Sequence, residues 1–273
     1  MIVRAGYFLF DIYTGILILR CHLSAVNPCS TARKRILHIT LHFRICLSGQ
    51  KDEKGRKMNF KAVIFDLDGT LLNTLEDLAE ATNIVLRNLG YREHDLQAYK
   101  YFVGNGIEPL VKQALPESER SEESLHRCVE LMKSEYARRW TNKSRPYPGI
   151  SDLLEGFISS GYQLNILSNK AHEATRQIVA ELLPRRRFNT VLGATAATPK
   201  KPDPTAALNI AEQCGITPRE TLFLGDTYID MQTARACGMY GIGVLWGFRP
   251  AEELIAGGAR MLINEPQDLL PWI

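Results

Sequence analysis

The chain has 273 residues, of which 45% are hydrophobic and 23% are charged. This composition is typical of a soluble globular protein and excludes a disordered or fibrous chain, and the length allows one large domain or one domain with a smaller partner. The formal net charge of +3 comes from residues 1–57, which carry ten Lys or Arg and three acids, so it gives no reason to expect nucleic acid as a partner.

The first 57 residues differ from the rest of the chain. They mix basic and apolar residues without clear periodicity, and a well-formed domain begins only at Met58. The codons AAA-GGA-AGG-AAA would encode Lys54-Gly55-Arg56-Lys57 and would read like a ribosome-binding site. The hypothesis is that residues 1–57 are an extension from too early a start, or else disordered. Other codons at Gly55 and Arg56 in the gene would remove the argument.

Neither the apolar segments nor the cysteines indicate a membrane or secreted protein. The apolar stretch of residues 7–19 is short and is interrupted by Asp11, so a membrane span is not expected, although a weak signal peptide is an alternative. The six cysteines are scattered and form no C-x-x-C pair, which favours reduced thiols over a disulfide framework. A cytoplasmic location is therefore expected.

From Met58 onward, short apolar runs alternate with helical stretches, which is the pattern of a parallel α/β fold. Strands are predicted at residues 62–65, 162–167, 190–192, 221–224, 240–245 and, more weakly, 260–263. Helices are predicted between them at residues 151–160, 171–183, 204–214 and 229–237. Gly161, Gly215 and Gly238 each follow a helical run, where a left-handed cap favours glycine.

One interval lacks this alternation. Between Asn73 and Tyr147 no strand is predicted, and Thr74 followed by Glu76 and Asp77 indicates the start of an amphipathic helix. A helical insert therefore separates the first strand from the second. An insert at the catalytic end of a sheet is well placed to act as a lid.

The first predicted strand ends on two acids. It is followed directly by Asp66-Leu67-Asp68-Gly69-Thr70. Because ligands of open α/β sheets bind outside the carboxyl ends of the strands, this pair lies where such folds carry out chemistry. Two neighbouring carboxylates repel each other unless a cation or proton lies between them, so the pair indicates a metal-dependent acid, base or nucleophile.

Three further polar segments are expected at the same edge. Ser168-Asn169-Lys170 and Gly225-Asp226-Thr227-Tyr228-Ile229-Asp230 follow predicted strands, and Lys200-Lys201-Pro202 precedes a helix. With the first segment, they would supply four acids, a hydroxyl with an amide, and a lysine. Any one of these segments is weak evidence, but four in order are strong.

Together these segments resemble the four motifs of the haloacid dehalogenase superfamily of phosphohydrolases, and the resemblance covers residues 58–273. It implies an α/β fold with a Rossmann-like parallel-sheet core and an inserted all-helical cap. The core would comprise residues 58–72 and 148–273, and the cap residues 73–147. It also implies that Asp66 is the nucleophile that becomes an aspartyl phosphate and that Asp68 is the general acid and base.

The remaining roles are implied in the same way. Mg²⁺ would be held by Asp66, the backbone carbonyl of Asp68 and Asp226, with Asp230 holding a metal-bound water or orienting these ligands. Ser168, Asn169 and Lys201 would bind the phosphoryl group, and Lys201 would also hold the nucleophile in place. The candidate site residues from the four motifs are Asp66, Asp68, Ser168, Asn169, Lys201, Asp226 and Asp230.

The position of the insert implies a small-molecule substrate beneath a mobile cap. Residues 102–106, with Gly104, Asn105 and Gly106, are similar to the corresponding segment of the phosphoglycolate phosphatase branch, and so is the stretch of residues 243–248. The three residues are therefore candidates for substrate specificity, although a plain interhelical turn is an equal alternative. Lys112 and Arg145 are weaker candidates for binding a substrate carboxylate.

The expected function is a Mg²⁺-dependent phosphatase for a small phosphorylated metabolite, with 2-phosphoglycolate as first choice. A sugar-phosphate phosphatase or phosphomutase is the alternative, and a catalytically silent binding or regulatory protein is a further one. Carbon–halogen hydrolysis is disfavoured because it needs no metal and would leave Asp68 and Asp226 without a purpose. The only expected partner is the small phosphoester, and the protein is expected to be a monomer or homodimer.

Overall fold

A six-stranded, entirely parallel sheet forms the centre of the computed structural model, which describes residues 59–183 and 188–273. The hypothesis about residues 1–57 lies outside the described residues. In chain order the strands are β1 (Ala62–Phe65), β2 (Leu72–Asn73), β3 (Arg145–Pro146), β4 (Gln163–Ala171), β5 (Thr190–Ala194), β6 (Thr221–Gly225), β7 (Tyr240–Val244) and β8 (Met261–Ile263). The order of the strands across the parallel sheet is β5-β4-β1-β6-β7-β8. The predicted α/β fold is confirmed, and all six predicted strands are present.

The main difference in the sheet concerns β4. The apolar pattern predicts an end at residue 167, but the strand continues to Ala171, where it pairs with Ala194 of β5 after an irregularity in the register. The segment Ser168-Asn169-Lys170 is therefore part of the extended strand, at the carboxyl-terminal end of the sheet, rather than a loop beyond it. The polar side chains hide this continuation, because the apolar run by which a buried strand is recognised stops at Leu167.

The prediction that no strand occurs between Asn73 and Tyr147 is wrong. The short strands β2 and β3 pair antiparallel, with Leu72 opposite Pro146 and Asn73 opposite Arg145. They lie where the chain leaves the core and returns to it. Two residues are too few to produce the alternation by which a strand is recognised in a sequence.

Among the described residues, four helices make up the insert and five accompany the sheet. They are α1 (Leu75–Asn88), α2 (Leu96–Phe102), α3 (Ile107–Ala114), α4 (Glu122–Ala137), α5 (Ile150–Ser159), α6 (His172–Leu182), α7 (Thr205–Gln213), α8 (Tyr228–Cys237) and α9 (Ala251–Gly257). The sequence pattern does not predict α9. The glycines expected as C-terminal caps, Gly161, Gly215 and Gly238, all have positive φ.

The two faces of the sheet bury different side chains because successive residues of a strand point in opposite directions. In β1, Val63 and Phe65 pack in the cluster that contains residues of α5 and α6, whereas Ile64 packs with α7 and α8. Helix α5 shows why these segments fold as they do. It buries residues at positions i, i+3, i+4 and i+7, namely Ile150, Leu153, Leu154 and Phe157.

The helices α1 to α4 form their own hydrophobic cluster, which agrees with the predicted all-helical cap. Phe248, which follows β7 in the core, is buried in this cluster and joins the two layers. The exact division between core and cap at residues 72 and 148 stays a prediction. Within the described ranges, no helix combines the length and apolar character that crossing a membrane requires.

Polar contacts also join the cap to the core. Arg249 is buried, and its Nη2 donates to the carbonyl oxygens of Tyr101 and Val103 at 3.2 and 3.1 Å. The side-chain amide of Asn169 donates to the carbonyl oxygen of Gly104 at 3.2 Å. The loop between α2 and α3 is therefore fixed against the edge of the sheet from two sides.

We expect Phe157→Ala to lower the free energy of unfolding by about 3–5 kcal/mol, because the ring is fully buried beneath the sheet and its loss leaves a cavity. The neighbouring Ile158 is 38% exposed, so Ile158→Ala serves as the matched control and should cost about 1 kcal/mol or less. Urea unfolding of both variants measures the difference. Similar losses would contradict the position of Phe157 in the core.

Candidate functional site

Strand register brings the predicted acids and the Ser168 hydroxyl to one edge of the sheet. Phe65, the last residue of β1, lies opposite Ile166 of β4 and Leu224 of β6. Asp66, Ser168 and Asp226 therefore emerge at nearly the same height on three adjacent strands. This convergence follows from the parallel arrangement, in which all carboxyl ends meet at one edge.

Lys201 reaches this edge from the segment that precedes α7. Its Nζ donates to Asp66 Oδ1 and Asp230 Oδ1, each at 2.6 Å. Burial alone would lower the pKa of Lys201, but Asp230 and Asp66 outweigh burial and raise the pKa above its usual value. The two carboxylates therefore favour the charged ammonium form of Lys201. Lys200, its neighbour, is exposed.

Within the described part of the chain, three buried carboxylates share the space around Lys201. Asp66, Asp226 and Asp230 each offer an oxygen atom, and these atoms all lie within 4.8 Å of one another. Burial raises the pKa of Asp66 to about 7 against the opposing effect of Lys201, and Asp230 adds to the rise. Burial, Asp66 and Asp230 likewise raise the pKa of Asp226 well above its ordinary value.

The charge balance of this cluster fits a divalent cation. Its three carboxylates contain one ammonium group between them, so two negative charges of the cluster lack compensation when all the acids are ionised. Carboxylate oxygens are hard ligands, which bind hard divalent cations. Burial, with the neighbouring acids, raises the pKa of Asp66 and Asp226, so in this arrangement the ionised forms are costly without a further positive charge.

Asp226 is held rigidly by groups from two loops. Its Oδ1 accepts a hydrogen bond from Thr70 Oγ1 at 3.2 Å, and its Oδ2 accepts one from the Phe248 backbone N–H at 2.8 Å. Trp246 Nε1 donates to the carbonyl oxygen of Thr70 at 2.9 Å and so fixes the first loop in turn. Thr70 thus positions a carboxylate as well as its own turn.

Gly69 lies against this carboxylate and has a φ of +97°. A Cβ at that position would be only 2.3 Å from Asp226 Oδ2, which no side chain could tolerate without moving the acid. Glycine is therefore required both by the left-handed backbone and by the close approach.

Asp68 faces the cap and makes contacts of a different kind. Its Oδ1 accepts a hydrogen bond from Thr74 Oγ1 at 2.8 Å, and the Lys170 ammonium lies 3.2 Å from its Oδ2. The sequence predicts that Thr74 caps α1, but its hydroxyl makes no capping bond and binds Asp68 instead. Asp68 is therefore fixed by Thr74, at the start of the insert, and by Lys170 of β4.

Lys170 and Tyr136 are the residues of the site that sequence reasoning missed. Lys170 Nζ donates to Tyr136 Oη of α4 at 3.0 Å, so it joins Asp68 to the cap. Burial alone would lower the pKa of Lys170, but Asp68 and Tyr136 outweigh it and raise the pKa. Lys170 stands next to two predicted residues, whereas the sequence pattern indicates Tyr136 only as part of the apolar face of a helix.

The side chains of Ser168 and Asn169 make different hydrogen bonds. Ser168 is buried beside the cavity, and its Oγ accepts a hydrogen bond from the Lys170 backbone N–H at 3.2 Å. The Asn169 amide donates to the carbonyl oxygens of Gly104 and Lys201, and its Oδ1 accepts from the Lys201 N–H at 2.9 Å. The Asn169 side chain thus ties two backbone segments together, and the predicted hydrogen bond from Asn169 to a phosphoryl oxygen stays a prediction.

A cavity of about 260 Å³ lies between the cap and the sheet edge. Its polar wall includes Asp66, Asp68, Ser168, Asn169 and Lys170. Most of the remaining wall is apolar and includes Leu78, Val103, Ile107, Leu110, Ala137, Trp140 and Ile178. The cavity therefore joins a charged floor to an apolar roof.

Two of the three specificity candidates line this cavity. Gly104 and Gly106 line it, and both have positive φ, whereas Asn105 is absent from the described wall. Their role in specificity stays a prediction. Arg145, a weaker candidate, donates to the backbone carbonyl oxygens of its own loop and, like Lys112, is not part of the described wall.

The sequence is similar to those of known hydrolases. A family model described as haloacid dehalogenase-like hydrolase matches residues 63–244. A phosphoglycolate phosphatase from Nitrosospira multiformis is 36% identical over 199 residues, which are 71% of this chain and 87% of that protein. Another from Pseudomonas putida is 30% identical over 215 residues, which are 77% of this chain and 79% of that protein.

Solved structures agree with this match. One protein of known crystal structure, from Lactobacillus delbrueckii subsp. bulgaricus, is 30% identical in sequence to this chain. The two structures have a TM-score of 0.73, and the match covers 78% of this chain and 98% of that chain. A predicted phosphoglycolate phosphatase from Haemophilus somnus is 26% identical, with a TM-score of 0.72 over 78% of this chain and 97% of that chain. The match covers both the sheet and the helical insert.

We expect Gly69→Ala to be more destabilising than an equivalent change elsewhere. Gly161 also has positive φ but has open space around it, so Gly161→Ala should cost about 1–2 kcal/mol from the backbone alone. Gly69→Ala should cost about 1–3 kcal/mol more, because the methyl group must displace Asp226. Urea unfolding measures both, and equal losses would contradict the close packing of Gly69 on this carboxylate.

Proposed function

Because this chain belongs to the haloacid dehalogenase-like hydrolases and is a phosphoric monoester hydrolase, we propose that it converts 2-phosphoglycolate to glycolate and phosphate. The observation that carries the proposal is the buried contact of 2.6 Å between Lys201 and Asp66, which lies close to Asp226 and lines the cavity between the cap and the sheet. The names of the relatives suggest the substrate.

The first step is a transfer of the phosphoryl group to Asp66. A carboxylate oxygen of Asp66 attacks phosphorus, the bond from phosphorus to the ester oxygen breaks, and an aspartyl phosphate forms. Asp68 gives its proton to the departing ester oxygen, so glycolate leaves as an alcohol. Lys201 supports this assignment because it holds Asp66 in place and offsets the charge of the phosphoryl oxygens.

The second step regenerates the enzyme. Asp68, now ionised, removes a proton from water, and the resulting oxygen attacks phosphorus. The bond between phosphorus and Asp66 breaks, and inorganic phosphate leaves. Ser168 is assigned to bind a phosphoryl oxygen during both steps, and Asn169 is assigned to keep Lys201 and the cap loop in position.

We propose Mg²⁺ as the cation of the acidic cluster, held by the carboxylates of Asp66 and Asp226 and by the backbone carbonyl of Asp68. When bound, the ion neutralises excess negative charge on the carboxylates and the phosphoryl group. Asp230 bonds to Lys201 and to Thr227, so its part is to orient Lys201 near the cation.

The cap determines which substrates reach this chemistry. The cavity lies between two layers, and such a site accepts small phosphoesters and limits access of water to the reacting groups. A cytoplasmic location, suggested by the cysteine pattern, and a monomeric or homodimeric state stay predictions.

A panel of phosphoesters tests the choice of substrate. The full chain is offered 2-phosphoglycolate, hexose phosphates and p-nitrophenyl phosphate, and kcat/KM is measured for each. The highest value is expected for 2-phosphoglycolate. A hexose phosphate as the best substrate would replace the proposed function with a sugar-phosphate phosphatase, and interconversion of hexose phosphates would indicate a phosphomutase.

We expect Asp66→Asn to lower kcat by at least about 10³-fold, because the amide cannot act as the nucleophile. Asp68→Asn should lower kcat by about 10²–10⁴-fold through loss of proton transfer. Steady-state kinetics measures both, and Asp152→Asn, at an exposed acid of α5, is the control that should retain activity. Substantial activity of Asp66→Asn would contradict the assigned nucleophile.

We expect removal of divalent cations with a chelator to abolish turnover and added Mg²⁺ to restore it. Mg²⁺ should also raise the melting temperature of the wild-type protein, because it binds only the folded cluster. Asp226→Asn should lose most of this thermal shift, whereas Asp152→Asn should retain it. An unchanged shift in Asp226→Asn would place the cation elsewhere.

A further inference from the structure

The Lys170 ammonium lies at the junction of the catalytic floor and the cap. It is 3.2 Å from Asp68 Oδ2 and 3.0 Å from Tyr136 Oη, and it lines the cavity. Only 8% of the Lys170 side chain is exposed. The fold has thus buried a positive charge beside the group assigned to protonate the leaving alcohol.

The other lysines near the cavity form ion pairs with different acids. Lys133 also lines the wall, but its side chain is 51% exposed and forms an ion pair with Glu130 at 2.7 Å. Lys201 is bound between Asp66 and Asp230, on the side of the transferred phosphoryl group. Among the described residues of the wall, Lys170 is therefore the buried cation on the leaving-group side.

The covalent structure of the proposed substrate explains why a cation is useful at the position of Lys170. In 2-phosphoglycolate a single methylene group separates the ester oxygen from the carboxylate carbon. A residue that protonates the ester oxygen must therefore be a close neighbour of the group that binds the carboxylate. Asp68 is assigned the first task, and Lys170 is its immediate cationic neighbour.

We infer that Lys170 and the Tyr136 hydroxyl bind the carboxylate of the leaving group and thereby select phosphorylated 2-hydroxy acids. This inference rests on the proposed function and names the specificity residues of the same site.

The hydrogen-bonding capacity of the two groups is suited to this task. An ammonium carries three N–H donors, and Lys170 Nζ lies 3.3 Å from Asp68 Oδ1, 3.2 Å from Asp68 Oδ2 and 3.0 Å from Tyr136 Oη. Both contacts with Asp68 are longer than the usual length of about 2.7–2.9 Å for a charge-assisted bond, so one N–H can turn from Asp68 to a substrate carboxylate. Tyr136 Oη accepts from Lys170, which leaves its own O–H as a donor for a substrate group in the cavity. A carboxylate accepts from both groups, and the apolar roof strengthens the charge interaction by lowering the local dielectric constant.

The pair also links recognition to closure. Lys170 belongs to β4 of the core and Tyr136 to α4 of the cap, so the carboxylate has both partners only when the two layers meet. A phosphoester whose leaving alcohol is uncharged lacks the carboxylate that both partners bind. Selectivity is therefore expected to depend on the charge of the leaving group more than on its size.

The test compares 2-phosphoglycolate with 2-hydroxyethyl phosphate, in which a neutral hydroxymethyl group replaces the carboxylate. The quantity measured is the ratio of their kcat/KM values. Lys170→Met should lower this ratio by at least about tenfold, as expected for loss of a hydrogen bond to a charged group. Tyr136→Phe, which removes only the hydroxyl, should lower it by about two- to tenfold.

Controls separate recognition from structure. Lys133→Met should leave the ratio unchanged, because Lys133 lies on the exposed side of the wall. Lys170→Arg keeps the positive charge and should retain more of the ratio than Lys170→Met. If Lys170→Met does not fold, Tyr136→Phe still decides the question through the same ratio.

The possible failures are distinguishable. If the variants slow both substrates equally, Lys170 only positions Asp68, and the inference is overturned while the proposed function stands. If Lys133→Met changes the ratio and Lys170→Met does not, the carboxylate binds elsewhere. If the wild-type protein itself does not prefer 2-phosphoglycolate, the proposed substrate is wrong.

Discussion

Repulsion among buried acids is the constraint around which the active edge of this protein is built. Asp66, Asp226 and Asp230 lie close together and away from solvent, and Lys201 compensates only part of their charge. Groups of like charge stay together only if the surrounding structure holds them firmly. The fold supplies that firmness through parallel strand ends, hydrogen-bond donors from two loops, and a glycine that leaves room for the Asp226 carboxylate. The energy stored in this arrangement is available to bind a cation.

The sequence predicted what is determined locally. Each buried strand is a short apolar run, and each acidic motif directly follows one, so both the sheet and the convergence of Asp66 with Asp226 could be predicted from the residues alone. Contacts across the cap interface could not. Lys170 and Tyr136 are 34 residues apart, and their contact depends on how α4 lies over the sheet. The sequence predicted Asn169 as a phosphate-binding residue, and its contacts with Gly104 and Lys201 become visible only in three dimensions.

Closure of the cap is defined by polar contacts as well as by burial of Phe248. Asn169 and Arg249 both donate to carbonyl oxygens in the loop that follows α2, and Lys170 donates to Tyr136 of α4. Hydrogen bonds depend on direction, whereas apolar packing tolerates small shifts. The cavity is therefore bounded by a loop whose position relative to the catalytic acids is closely specified.

The adjacent strands β2 and β3 have a consequence for how such proteins diversify. They bring the exit and the return of the inserted segment side by side, with Leu72 opposite Pro146. The core is thus insensitive to how much chain lies between these two points, because the ends of the segment meet at a fixed spacing and loop-closure entropy grows only slowly with length. A different insert could be grafted onto the same pair of strands without disturbing the acidic edge of the sheet. Substrate range could then evolve by exchange of modules while the hydrolytic machinery is inherited unchanged.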